Sequence, residues 1–172
     1  CNDDMYASTS VQQWAGAWVS QSGVGENGES RHFGDTPYLR KYEIKSNAEA
    51  LYLAVVSEDN ASKMKGLHLF RRAEGGWVSQ GGMLNDPDLF SPASFSLAMI
   101  GSKPSIAFHQ GNLEVKQWSG EGWTPLGAPI SATADDPHLI GVAETPYLIF
   151  TAPGQPIDGY ESRAVQVSFW NG

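Results

Sequence analysis

Cysteine is nearly missing from this chain. One residue in 172 leaves no partner for an internal disulfide and excludes a disulfide framework. Charge is scarce too, at 17% of residues, and lopsided, with 11 Lys and Arg against 19 Asp and Glu for a net charge of −8. A nucleic-acid binder neutralises phosphates with clustered cations. Arg71-Arg72 is a basic pair, and two charges do not line a groove. Apolar runs such as Leu51–Val56 are strand-sized, far short of the roughly 20 apolar residues of a membrane helix. The chain also lacks a Gly-x-Ser-x-Gly elbow and a His-Glu-x-x-His pair. Its four histidines, His32, His68, His109 and His138, never stand at the i, i+4 spacing of a metal site. No catalytic residue, metal ligand or cofactor is therefore expected, although a Ser/His/Asp triad assembled across loops would leave no linear motif.

What the chain has in quantity is glycine (19), proline (10) and tryptophan (6), within 41% apolar residues. That mixture suits many short strands joined by tight turns in one domain, not a helical bundle or a disordered tail. The tryptophans mark an internal repeat. Ala17-Trp18-Val19-Ser20-Gln21-Ser22-Gly23 matches Gly76-Trp77-Val78-Ser79-Gln80-Gly81-Gly82 at five of seven positions, and Gly122-Trp123-Thr124-Pro125-Leu126-Gly127 is a looser third copy. A strand precedes each. Leu113–Gly120, Gly66–Arg71 and Val11–Gly16 fill that place, and Val165–Gly172 repeats the pattern 52 residues after the first of these. The alternation of apolar and polar residues in Leu113–Trp118 is the period-2 signature of a half-buried strand. Ala15-Gly16, Glu74-Gly75-Gly76 and Ser119-Gly120-Glu121-Gly122 supply hairpin turns.

Two further strands fill each interval. Lys103–Phe108, Thr145–Phe150 and Ala50–Val55 are one set, and the segments at Asp35–Leu39, Ser91–Phe95 and Asp136–Ile140 are the other. Proline near the start of a strand is tolerated because no ladder hydrogen bond is lost there. Four antiparallel strands per 40–60 residues is the pattern of a propeller blade. A β-sandwich also has short, regularly spaced strands, but it does not call for a recurring Gly-Trp turn.

On these residues, over Val11–Gly172, the chain resembles the blades of Trp-rich bacterial β-propellers, including propeller lectins. The resemblance implies an all-β, propeller-like fold of about three four-stranded antiparallel blades, near residues 35–82, 91–127 and 136–172, with 11–23 an additional hairpin. Ser119-Gly120-Glu121-Gly122-Trp123 is also similar to the Asp-box turn of sialidase-type propellers. It departs from that box in spacing and lacks the Asp, so no sialidase activity is implied. The third unit breaks off at Trp170-Asn171-Gly172, before its own Trp-strand, and three blades do not close a ring. The sequence leaves three ways to complete the fold: more chain, the Trp18–Gly23 strand together with a second copy, or an open arrangement.

Candidate site residues follow from the same alignment. Trp14, Trp118 and Trp170 recur before the turn, with Arg72 in their place in the middle unit. Blade packing is their ordinary role, while the propeller-lectin resemblance implies stacking on a sugar ring. Tyr160 stands in the long Ala152–Arg163 loop, which with Ser22–Thr36 is a candidate partner-contact surface. Tyr38, Phe95 and Tyr147 fall in strands and are expected in the core. Asp135-Asp136-Pro137-His138 and Asn85-Asp86-Pro87-Asp88 are expected as turns in which Asp caps local N–H groups, since neither has the ligand density of a calcium loop.

Cys1 admits three readings: an expression remnant, an arbitrary boundary, or the acylated first residue of a mature lipoprotein. Cys1 followed by the polar run Asn2-Asp3-Asp4 resembles the start of a processed bacterial lipoprotein, with 1–10 as a flexible tether. Acyl chains contribute about 0.8 kcal/mol per buried CH2, enough when several are present to hold a chain on a membrane without a spanning segment. The expectation is a non-enzymatic lipoprotein of the bacterial outer membrane, on its periplasmic face or the cell surface, bound to protein subunits of an envelope complex. A glycan-binding lectin is the second reading and a glycosidase-like propeller enzyme the third.

Overall fold

The computed structural model describes residues 11–14, 18–21, 38–58, 65–74, 76–85, 94–156 and 160–170. Cys1, the 1–10 tether, the Ser22–Thr36 loop, Asp86-Pro87-Asp88 and Gly172 lie outside the described residues, as do the side chains of Trp14, Trp18 and Tyr38. Thirteen strands and no helix are present among those described. They are β1 (Val11–Trp14), β2 (Trp18–Gln21), β3 (Tyr38–Ser46), β4 (Leu51–Glu58), β5 (Lys65–Ala73), β6 (Gly76–Met83), β7 (Phe95–Ile100), β8 (Lys103–Gln110), β9 (Asn112–Trp118), β10 (Trp123–Pro125), β11 (Asp135–Val142), β12 (Thr145–Pro153) and β13 (Arg163–Phe169).

All pairing is antiparallel between strands consecutive in the chain. β1-β2 form a hairpin, and the rest form three sheets in the orders β3-β4-β5-β6, β7-β8-β9-β10 and β11-β12-β13. Trp pairs mark the last turn of a unit: Trp14 lies opposite Trp18 and Trp118 opposite Trp123, while Arg72 lies opposite Trp77. The turn after β9 is tied by Ser119. Its Oγ accepts from the Glu121 and Gly122 N–H groups, and its own N–H donates to the Gly122 carbonyl at 2.9 Å.

The sheets pack in series through two cores. Tyr52, Ala54, Val56, Leu67 and Leu69 of the first sheet meet Phe95, Leu97, Ile106 and Phe108 of the second. The opposite face of the second sheet, with Ala98, Ile100, Ala107 and Leu113, meets Leu139, Leu148, Phe150 and Ala152 of the third. The second sheet is thus buried on both faces, which is why β7 and β8 read as nearly continuous apolar runs. Burying each large aliphatic or aromatic side chain contributes roughly 1.5–3 kcal/mol, so these two interfaces dominate the stability. The fold is all-β and propeller-like, and among the described residues the third sheet has three strands where the other two have four.

Candidate functional site

The first strands of the three sheets, β3, β7 and β11, run beside one another and are joined by side chains acting as acceptors. Among the described residues each strand has one edge with no strand on it, so its N–H groups take partners from elsewhere. Glu43 Oε2 accepts from the Leu97 N–H at 2.8 Å, and Ser96 Oγ accepts from the Leu139 N–H at 3.0 Å. Leu97 and Leu139 hold equivalent places, 42 residues apart. Lys41 reinforces the first join by donating to the Phe95 carbonyl at 2.7 Å while lying 3.6 Å from the Glu43 carboxylate. A solvent-open cavity of about 490 Å3 lies along this line, with Glu43, Lys45, Ser96, His138, Ile140 and Ile149 on its wall.

The outer strands are joined by tryptophan against glycine. A Cβ added at Gly81 of β6 would lie 2.5 Å from the Trp118 ring, and Trp123 Nε1 donates to the Gln80 carbonyl at 3.1 Å. Trp118 and Trp123 pack together at 5.5 Å between ring centroids. The same device recurs one sheet on, where a Cβ at Gly127 would lie 3.3 Å from Trp170. Gly81 and Gly127 both have positive φ, at 77° and 79°, so the close approach and the backbone conformation both call for glycine. Trp77, the counterpart of Trp123, is 3% exposed and its indole N–H has no acceptor among the described residues.

The third sheet differs on its far side. Leu148, Phe150 and Ala152 point into the core, but the alternate residues of all three strands form a face open to solvent. The register places Ile140 beside Tyr147, His138 beside Ile149, Tyr147 beside Phe169, Ile149 beside Val167 and Thr151 beside Val165. Val165, Val167 and Phe169 are 71%, 64% and 64% exposed, and Ile140 and Val142 are 46% and 58%. Tyr147 and Phe169 rings lie 6.0 Å apart across the strands. Among the described residues, β13 has no strand on its outer edge, whereas β9 is covered there by β10 and by the N–H groups of Leu126 and Ile130.

The sequence candidates are dispersed by this geometry. Trp118 is 8% exposed and wedged between two sheets, so its ring is not open to stack on a sugar. Arg72 is half-buried. Trp170 (42% exposed) lies against Gly127 of the second unit, and Tyr160, between β12 and β13, is 78% exposed. Phe95 is fully buried as expected, but Tyr147 lies on the open face. His68 is largely buried in β5, and that burial lowers its pKa below the ordinary 6.5. His109 Nε2 lies 3.0 Å from the Ala132 carbonyl. Asp135 caps locally, its Oδ1 accepting from the Asp136 N–H at 2.8 Å and the Ser94 hydroxyl at 3.2 Å, while Asp136 takes a φ of 52° at a β-bulge. No group of three His, Cys, Asp or Glu stands close enough to hold a metal among the described residues. Glu43 and Ser96 were missed. Their one signal is a polar residue inside an apolar strand, as in Phe95-Ser96-Leu97.

Sheets in series, with their first strands adjacent and their last strands locked by Trp on Gly, define a propeller-like repeat protein. No family model matches the chain, and no curated protein is similar to it. Among solved structures, a GH43 endo-arabinanase from Bacillus licheniformis is similar with a TM-score of 0.47 and 14% identity over 77% of this chain. The match covers 52% of that structure, so the chain spans about half its length. At this level of similarity nothing of that protein's activity carries over.

Proposed function

We propose that this chain is a non-enzymatic protein-binding module of a bacterial envelope complex, and that its contact surface is the open face of the third sheet. The observation that carries the reading is the set Ile140, Val142, Val165, Val167 and Phe169, contiguous large apolar side chains left 46–71% exposed on a regular sheet. Apolar patches of this kind mark contact surfaces when they are continuous and not scattered. A lipid anchor at Cys1 belongs to the same proposal. The burial of Trp118 weighs against a lectin built on repeated rim tryptophans.

Val167→Glu places a carboxylate on the open face, midway along the edge strand β13, without touching the core. It is expected to abolish co-purification with envelope proteins while leaving the circular dichroism spectrum unchanged. Retention of the same partners by Val167→Glu would exclude this face as the contact surface. Cys1→Ser is expected to release the protein from membranes, and unchanged membrane retention refutes the lipid anchor. A glycan array that loses a hit on Trp170→Ala would move the reading to carbohydrate.

A further inference from the structure

The first two sheets show what the outer edge of a unit's third strand takes. Trp77 lies opposite Arg72 and Trp123 opposite Trp118, which fixes the register of the fourth strand. Leu84 and Ile130 each stand seven residues after that Trp. The Leu84 N–H donates to the Leu67 carbonyl and the Ile130 N–H to the Leu113 carbonyl, both at 2.8 Å. Leu67 and Leu113 hold one repeat position, five residues before Arg72 and Trp118. In the third unit that position is Val165, five residues before Trp170.

Among the described residues no strand lies on the outer edge of β13. The Trp170 N–H donates to the Pro146 carbonyl at 3.3 Å, which sets the alternation along the strand. Gln166 and Ser168 turn their N–H and C=O groups to β12, and Val165, Val167 and Phe169 turn theirs to the open edge. The edge carries none of the usual guards against strand addition. Its register with β12 has no bulge, the strand has no Pro or Lys, and the Arg163 side chain is turned back onto Thr151 Oγ1. Trp170 is an independent sign. Trp118, whose ring meets Trp123 of the fourth strand, is 8% exposed, whereas Trp170, with no ring partner among the described residues, is 42% exposed.

We infer that the outer edge of β13 is a strand-acceptor site for an extended segment of a partner polypeptide, one with Trp opposite Trp170 and a large aliphatic residue seven places further on. The inference rests on the reading above that the third sheet is a contact surface, and it names the element that docks there. The strands of this chain that carry the Trp, β2, β6 and β10, are already paired with β1, β5 and β9, so the segment comes from another polypeptide. Its Trp covers the Trp170 ring as Trp123 covers Trp118. Its aliphatic N–H donates to the Val165 carbonyl, and further main-chain bonds form at Val167 and Phe169. In strand addition the main-chain bonds hold the segment and the spaced side chains select its sequence.

A peptide with the sequence of Gly76–Leu84, added to the isotope-labelled full chain, tests this by amide exchange. Without peptide, the Val165, Val167 and Phe169 amides are expected to exchange faster than those of Gln166 and Ser168. Saturating peptide is expected to slow these three by about tenfold or more. The peptide with Trp77→Ala is expected to bind about tenfold more weakly. Val167→Pro in the chain removes an N–H that β12 does not use and keeps an apolar side chain on the face, so it is expected to abolish peptide binding with the fold retained. Ile149→Glu, one strand in from the edge, is expected to bind the peptide unchanged. Three amides already slow without peptide overturn the inference, because the chain then covers its own edge. So does a titration with no change at the solubility limit of the peptide, and so does binding that survives both Val167→Pro and Trp170→Ala. The two readings fail separately. Peptide uptake at β13, with envelope capture unchanged in Val167→Glu, removes only the envelope-contact reading. Envelope capture lost in Val167→Glu, with no peptide uptake, removes only the strand-acceptor site.

Discussion

The outward faces of the second and third sheets occupy the same positions of the same repeat, yet one is core and the other is surface. The second sheet carries small or polar residues where the third carries large ones: Ala98 against Ile140, Ser105 against Tyr147, Ala107 against Ile149. Small residues let the next sheet approach closely, and Leu148 and Phe150 fill the space they leave. Ser96 in the second sheet accepts a hydrogen bond from the third, while the matching His138 is exposed on the cavity wall. Hydrophobicity alone does not separate a buried sheet face from an open one. The difference lies in side-chain volume and in whether each polar group at the seam has a partner.

The largest test sets the two faces of β12 and β13 against each other. Phe150→Ala, in the core at 3% exposure, is expected to lower urea stability by about 3–5 kcal/mol. Phe169→Ala, at 64% exposure, is expected to stay within about 0.5 kcal/mol. Equal losses would mean that the open face is covered in solution. Next comes Gly141, where an added Cβ would collide with the Met99 carbonyl oxygen of β7. Gly141→Ala is expected to cost about 3 kcal/mol, because backbone on both sides must move. Ser96→Ala leaves the Leu139 N–H without its acceptor and is expected to cost about 2 kcal/mol, against no more than about 0.5 for His138→Ala, by the same denaturation assay. The smallest effect belongs to the first sheet. Burial lowers the His68 pKa, so the folded state favours the neutral ring. The unfolded chain takes up its proton first as pH falls through 6.5, so this contribution is present above 6.5 and is lost as pH falls through the lower folded value. The urea midpoint should fall over that window and fall less in His68→Gln.

Strand order was legible because the repeat is written in residues with local physical roles. Period-2 alternation located Leu113–Trp118, and the glycine four places after Trp77 and Trp123 marked where the next sheet's tryptophan lies close to backbone. β3 runs on to Ser46, beyond the segment expected at Asp35–Leu39. Its Lys41, Glu43 and Lys45 look like loop residues, and in the fold Lys41 and Glu43 bond the next strand while Glu43 and Lys45 border the cavity. The fates of Trp118 and Trp170 could not be separated in advance. Alternation tells that a strand has two faces, and it says nothing about which face has a neighbour.

Every sheet is assembled from strands adjacent in sequence. Contacts that are local in the chain form quickly and can break as a unit. The second sheet is clamped from both sides, whereas the third is held from one side only, so amide exchange should start from the third and reach the second last. The surface offered to a partner is thus carried by the segment with the least protection of its own, and occupancy would slow its opening and lengthen the lifetime of the whole chain.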